Sequence, residues 1–135
     1  MAPELTVLCL AAILQAGQLA LAGWAMNRDA GVAYNAGPRD SQPELSVLTG
    51  RLRRAVSNHF EALTLFTIAV VVVTLSGAAS AATATCAWLY LAARILYVPA
   101  YAFGWTPWRS VIFAIGATAT LAMILIPLLG GGGGA

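Results

Sequence analysis

The stretch RLRRAVSNHFEALTLF at residues 51–66 is the most informative part of the chain, because it carries charged residues directly into a long apolar run. The run at 62–93 has 32 residues without a charge. That is too long for one membrane span, since about 20 residues cross the hydrocarbon core. Glycine, alanine and serine at 76–80 form a turn signal that divides the run. We therefore expect two transmembrane helices, at about 48–76 and 82–103.

Two further charge-free runs complete the pattern, one of 22 residues at 5–26 and one of 20 residues at 110–129. Each is long enough to span a bilayer, so we expect helices at about 4–26 and 108–129. The first run is preceded by Glu4 instead of a positive segment. This favours a retained first helix over a cleaved signal peptide.

The composition agrees with a membrane protein. Only 9% of the residues are charged, 60% are hydrophobic, and the mean hydropathy is +0.81. The sequence thus predicts an all-α membrane protein, a single domain over residues 1–135 built as a four-transmembrane-helix bundle. A loop is expected at 27–47 and a flexible glycine tail at 130–135.

Charge and cysteine usage exclude several classes of function. The net charge is only +2 and no basic run is present, which argues against nucleic-acid binding. Cys9 and Cys86 fall inside predicted spans, where we expect them to pack as small apolar residues. Their number and spacing suggest neither a disulfide framework nor a metal site.

The distribution of arginine predicts the orientation in the membrane. The basic residues of the connection between the first two helices are Arg28, Arg39, Arg51, Arg53 and Arg54, and Arg109 follows the third helix. The opposite side carries only Glu4 and uncharged turns. The positive-inside rule then places the 1–2 and 3–4 loops in the cytoplasm and both termini outside.

Polar side chains recur at helical spacing on the second and third helices. Intervals of three and four residues place such side chains on one stripe of a helix surface. The two stripes comprise Arg51, Arg54, Asn58 and Glu61 on the second helix, and Arg94, Tyr97 and Tyr101 on the third. Both lie at the predicted cytoplasmic end, so they can meet at one depth.

A cavity with several guanidinium groups, a carboxylate, an amide and two phenols suits a small ligand with several carboxylates. The alternative is a structural ion pair in which Glu61 neutralises Arg54 or Arg94. One acid cannot neutralise three arginines, and this favours a ligand. His59 lies off the stripe, and we expect it to contact a neighbouring helix instead of acting as a base.

These motifs resemble those of a known family. RAVSNHFE at residues 54–61 resembles the RxxxNxxE motif of the MAPEG superfamily, the membrane-associated proteins of eicosanoid and glutathione metabolism. RILYVPAY at 94–101 resembles the family's RxxYxxxY pattern, and Arg109 is similar to its catalytic arginine. The likeness covers residues 4–129 and is closest to bacterial-type members.

The resemblance implies a homotrimer that binds glutathione between neighbouring subunits in a bacterial inner membrane. Family members include glutathione transferases, peroxidases, leukotriene C4 synthase and prostaglandin E synthase. These activities imply a hydrophobic small-molecule substrate that arrives through the membrane lipid. The glutathione contacts implied are Arg28, Arg54, Asn58, Glu61, Arg94, Tyr97 and Tyr101, with Arg109 as the catalytic residue against the sulfur.

Two other functions are considered. A non-catalytic membrane subunit or lipid-binding protein would retain the fold and the pocket without forming a thiolate. A small transporter or channel is disfavoured, because four short helices show no inverted repeat or broken helix.

Overall fold

Helices account for most of the described residues, 1–41 and 43–130, of the computed structural model. They are α1 (Pro3–Ala30), α2 (Val32–Ala36), α3 (Val47–Ser76), α4 (Ala81–Ala102) and α5 (Trp108–Leu128). Four of them, α1, α3, α4 and α5, are long and apolar enough to cross a membrane. The predicted four-transmembrane-helix architecture is therefore confirmed.

Local turn chemistry sets the ends of α3 and α4. Ser46 caps α3, its hydroxyl oxygen accepting the Thr49 N–H at 3.2 Å. Gly77 ends α3 in the left-handed region, with φ of 72°. Ser80 and Thr83 then form a reciprocal capping box that starts α4. The turn signal at 76–80 therefore separates two helices, as expected.

The connection predicted as a loop at 27–47 is partly helical. Helix α1 continues to Ala30, and the short helix α2 follows directly. Gly31, with φ of 90°, allows the chain to change direction between them. The Asn35 amide then donates to the carbonyl of Gly23 at 3.3 Å and to the Asn27 side chain at 2.7 Å. These hydrogen bonds hold α2 against the last turns of α1, a local effect that hydrophobic periodicity does not report. Of the predicted tail, all but Gly130 lies outside the described residues.

Contacts at both ends define an up-and-down arrangement. The Thr83 hydroxyl donates to the Glu4 carboxylate at 2.6 Å, so α1 and α4 begin side by side. At the other end the Thr49 hydroxyl donates to the carbonyl of Ala25 at 3.5 Å, so α3 begins where α1 finishes. We call the end that contains the C-termini of α1 and α4 and the N-termini of α3 and α5 the arginine end.

The core is packed differently along the bundle. Away from the arginine end, a large buried cluster surrounds Phe66 and Tyr90, whose rings stack with centroids 4.0 Å apart. At the arginine end, the core cluster comprises Ala22, Ala25, Leu52 and Ala102. Small side chains let helices approach closely, and they leave the adjacent space to polar groups.

Exposed aromatic side chains mark the arginine end. Trp24, Phe103, Trp105 and Trp108 are all exposed there. Tryptophan is enriched where a membrane meets water. This end therefore lies at a membrane surface, and the polar side chains near it are within reach of water-soluble ligands.

Candidate active site

Two arginines from different helices converge on Tyr101 of α4. Arg54 of α3 donates from its Nε to the Tyr101 hydroxyl at 3.0 Å. Arg109, in the first turn of α5, places its guanidinium carbon 4.9 Å from the centroid of the same ring. Both arginines are exposed. Two cations stacked on or bonded to one phenol create a positive site for an anion.

A polar pocket of about 310 Å³ opens beside this cluster. It is lined by Asn58, Tyr97, Tyr101, Arg109, Ser110 and Phe113. The ring of Tyr97 lies 5.6 Å from that of Tyr101, so the two phenols form one wall. Cation, amide, hydroxyl and phenol groups thus border one water-accessible space.

An apolar cleft of about 220 Å³ continues from the polar pocket between α3, α4 and α5. Asn58 and Phe113 line both spaces. Glu61 lies on the cleft, whose other walls are mainly apolar. Gly116 of α5 packs near Ala93 of α4, where a Cβ on residue 116 would lie 3.4 Å from the Cβ of Ala93, an ordinary contact distance. The site therefore joins a polar chamber to a lipophilic one.

Arg94 lies behind the polar pocket and lines the apolar cleft. It is 2% exposed and donates from Nη1 to the Asn58 side-chain oxygen at 3.0 Å. Its guanidinium carbon is 4.3 Å from the centroid of the Tyr97 ring. Because the Asn58 oxygen accepts from Arg94, the NH₂ group of the same amide is directed elsewhere and can donate to a ligand. Arg94 thus orients two residues that line the polar pocket.

Glu61 is exposed and forms no ion pair with Arg54 or Arg94. Among the described residues, the only ion pair joins Arg28 to Asp29, at 3.3 Å. The structural ion-pair interpretation therefore has no support in the geometry. The carboxylate of Glu61 remains available for a positively charged group at the apolar cleft, one turn of α3 from Asn58.

Comparison with known families decides the assignment. The model of the MAPEG family matches residues 4–129, almost the whole chain. The chain belongs to the MAPEG family. Glutathione transferases, peroxidases and enzymes of eicosanoid synthesis are among the members of this family. No curated protein and no solved structure was found to match the chain.

With four apolar helices of spanning length, this MAPEG chain is an integral membrane protein. Its two motif segments, 54–61 on α3 and 94–101 on α4, face each other across the site. Arg109 reaches the same place from α5. The two motif segments, whose polar residues recur at helical intervals in the sequence, therefore lie close together in space.

Arg28 is the predicted site residue that the single chain does not bring to the polar pocket or the apolar cleft. Its guanidinium contacts Asp29 and the Ser46 hydroxyl, each at 3.3 Å, and lies 5.1 Å from the centroid of the Trp24 ring. It lines neither the polar pocket nor the apolar cleft. Within one chain, Arg28 belongs to the junction of α1 and α3.

His59 faces away from the pocket toward α1 of the MAPEG chain. Its Nδ1 lies 2.6 Å from the Gln15 side-chain oxygen, and the Gln15 amide donates to the carbonyl of Val56 at 3.4 Å. His59 is fully buried and lines neither space of the site. The expectation that it contacts a neighbouring helix is confirmed.

The sequence did not predict that α5 lines the site with residues other than Arg109. The additional lining residues of that helix are Phe113, Gly116, Ala117, Thr120, Leu121 and Ile124. Their intervals of three and four residues are those of any helix face. The sequence pattern was thus visible, but it is the same pattern that a core-facing stripe produces.

Proposed function

We propose that this protein is a glutathione-dependent membrane transferase or peroxidase that activates the glutathione thiol for attack on a hydrophobic electrophile. The observation that carries the proposal is the polar pocket beside Arg109, which continues into the apolar cleft. A polar thiol and a lipophilic substrate can therefore occupy adjoining spaces. Membership of a family that contains such enzymes supports the same conclusion.

The polar side chains match the charges of glutathione, which has two carboxylates and one ammonium group. Arg54 offers a guanidinium for a carboxylate, with Tyr101 fixing its position. Asn58 offers an amide N–H, with Arg94 fixing its direction. Glu61 offers a carboxylate for the ammonium. These groups orient the peptide so that its sulfur lies toward Arg109.

The free energy that Arg109 must contribute to ionise the thiol is modest. A free thiol has a pKa of about 8.5, so only a few per cent is ionised at neutral pH. Lowering that pKa to about 6.5 requires roughly 2.7 kcal/mol of preference for the thiolate. One charge-assisted hydrogen bond contributes about 1.5–3 kcal/mol. A single guanidinium, aided by the neighbouring Ser110 hydroxyl, is therefore sufficient.

The apolar cleft accommodates the second substrate. Leu65, Leu121 and Ile124 line the part of it farthest from the polar pocket. A lipophilic electrophile in the bilayer can enter this space without crossing water. Its reactive carbon or peroxide oxygen then meets the sulfur where Asn58 and Phe113 border both spaces.

We further propose that the protein assembles as the homotrimer that the family resemblance implies. The uncovered face of α3 carries Ser57, Glu61 and Thr64 between exposed apolar residues. A charged side chain facing lipid at the middle of a membrane helix costs about 2.5–3.5 kcal/mol. Covering this face with another subunit removes that exposure. In such an assembly, the family resemblance implies that Arg28 of a neighbouring subunit contributes to the pocket.

The proposed location is a bacterial inner membrane, with the arginine end facing the cytoplasm. The support is the clustering of arginine at that end of the chain. This orientation presents the polar pocket to the compartment in which reduced thiols are abundant.

The test is glutathione-dependent consumption of a lipophilic electrophile, and separately of a lipid hydroperoxide, by purified protein in detergent. Wild type is compared with Arg109→Ala and with Arg39→Ala. Arg39 contacts Asn35 in the α2 region and lies outside both site spaces, so it is a matched control for loss of one arginine. Removal of an electrostatic donor costs about 100-fold to 1,000-fold in rate. We expect that loss for Arg109→Ala only; equal activity in all three proteins would contradict the proposal.

The mainly apolar lining of the cleft also favours a second function, a non-catalytic lipid-binding protein. That function predicts retention of a lipophilic probe in the cleft with no turnover. Probe binding that is unaffected by Arg109→Ala, together with an inactive wild type, would select it.

A further inference from the structure

We infer that Arg51 is a positioning residue for Arg109, because it stabilises the turn at 103–107 from which α5 begins. Arg51 lines neither the polar pocket nor the apolar cleft. Its role is therefore indirect and acts through the backbone of the α4–α5 turn. The inference rests on the proposed function in one respect, that Arg109 acts on the glutathione sulfur.

Arg51 completes the C-terminal cap of α4 from another helix. The N–H groups of the turn satisfy three of the last carbonyls of α4, those of Pro99, Ala100 and Tyr101. The carbonyl of Ala102 instead accepts from Nη1 of Arg51, at 3.4 Å. The last carbonyls of a helix have no partner within it, and an arginine side chain can satisfy and stabilise them. Arg51 thus joins α3 to the end of α4.

The same guanidinium packs against Gly104 inside the turn. Gly104 has φ of 67°, a left-handed conformation that favours glycine. A Cβ at this position would lie 3.1 Å from Nη1 and 3.2 Å from Cζ of Arg51. The glycine therefore leaves room for the flat guanidinium. This packing contact is independent of the hydrogen bond to Ala102.

The supported turn leads directly to Arg109. The backbone N–H of Arg109 donates to the carbonyl of Trp105 at 2.9 Å, so the first turn of α5 is built on these residues. The Arg109 side chain is exposed, and its position over the Tyr101 ring depends on where that turn is held. Misplacement of a reacting group by about 1 Å can cost 100-fold in rate. Loss of Arg51 should therefore weaken thiolate formation while leaving the groups that bind glutathione in place.

The experiment compares Arg51→Ala, Arg51→Lys and the control Arg39→Ala with wild type. For each protein, glutathione affinity and the pH dependence of the bound thiolate absorbance are measured, together with kcat and KM. Loss of one hydrogen bond of about 1 kcal/mol predicts a roughly fivefold lower kcat for Arg51→Ala. The pKa of the bound thiol should rise, with Kd and KM nearly unchanged. Arg51→Lys should recover part of the loss, because an ammonium can donate to the Ala102 carbonyl.

An unchanged thiol pKa in Arg51→Ala would contradict the inference. So would a loss of affinity equal to the loss of kcat. A general structural role predicts a lower Tm and less folded protein, but the same thiol pKa for the protein that remains folded. These readouts therefore distinguish positioning from stability.

Hydrogen exchange of the ligand-free protein separates this inference from the proposed function. In Arg51→Ala, we expect exchange of the amides at 103–110 to rise about fivefold, while exchange elsewhere stays as in wild type. Gly104→Ala should cause the same local rise with the arginine still present, which keeps the test available if Arg51→Ala fails to fold. If wild type binds no glutathione, the proposed function is wrong and this exchange result alone decides the role of Arg51. Unchanged hydrogen exchange at 103–110 in the folded variants would overturn the inference that Arg51 stabilises this turn.

Discussion

The two ends of the bundle differ in side-chain packing, although the same four helices form both. Away from the arginine end, large side chains such as Phe66 and Met123 are fully buried, and Glu4 and Thr83 satisfy each other there. At the arginine end, the core is alanine-rich and several cationic and phenolic side chains remain exposed or half-buried. The difference indicates that one end holds the bundle together and the other is left open for chemistry.

The largest loss of stability is expected at the well-packed end, away from the arginine end. Phe66→Ala removes a fully buried ring that stacks on Tyr90 at a centroid distance of 4.0 Å. A cavity of this kind costs about 3–5 kcal/mol. We expect a clearly lower Tm in detergent, with glutathione affinity per folded molecule unchanged. A stable variant with lost affinity would break the proposed division between the two ends.

At the arginine end, Tyr101 should show the opposite behaviour. Tyr101→Phe retains the ring under Arg109 but removes the hydroxyl that accepts from Arg54. The loss of that bond to a charged group, about 1.5–3 kcal/mol, predicts roughly tenfold or greater weakening of glutathione binding. The bound thiol should still ionise, and Tm should change little. Tyr101→Leu removes both contacts and should lose thiolate formation as well, as measured by absorbance at saturating glutathione.

A similar effect is expected from the pair formed by Arg94 and Asn58. If Arg94 acts by directing the Asn58 amide, then Arg94→Met and Asn58→Ala should each weaken glutathione binding, and the double variant should be little worse than either. The coupling energy expected for one charge-assisted hydrogen bond is about 1.5–3 kcal/mol. A double-mutant cycle on Kd measures it. Additive effects would show that Arg94 contributes by a separate route.

The smallest effect concerns the hydrogen bond that closes the opposite end. Thr83→Val removes the donor to Glu4, a contact of 2.6 Å between the starts of α1 and α4, and also the capping-box hydroxyl that accepts the Ser80 N–H at 2.8 Å. An unsatisfied buried acceptor costs about 1–3 kcal/mol. We expect a modest decrease in Tm and no change in the kinetics of the arginine end. Thr83→Ser retains the hydroxyl and serves as the control, which should remain close to wild type.

Much of the fold could be predicted because membrane helices follow simple rules of length and charge. The four long helices and the division near Ser80 were expected from charge-free runs and turn residues. The extension of α1 and the helix α2 were not. They depend on Gly31 and on side-chain bonds of Asn35, which have no periodic signal.

Some features of the site could likewise be predicted from helical spacing, whereas others are visible only in the contacts of the folded chain. The convergence of Arg54, Tyr101 and Arg109 was expected from helical spacing and helix direction. The buried position of Arg94, behind Asn58, was not, because spacing shows which side of a helix a residue occupies but not its depth. The role of α5 in the cleft was hidden, since a lining stripe and a core stripe have the same period.

We propose that the arginine end binds glutathione and ionises its thiol through Arg109. The most direct measurement is the thiolate absorbance of glutathione bound to detergent-solubilised wild type and Arg109→Ala, titrated with pH at saturating ligand. We expect glutathione binding by both proteins, a thiolate band in wild type at neutral pH, and the loss of that band in Arg109→Ala. A thiolate band of equal intensity in the two proteins, or no glutathione binding by wild type, would contradict it.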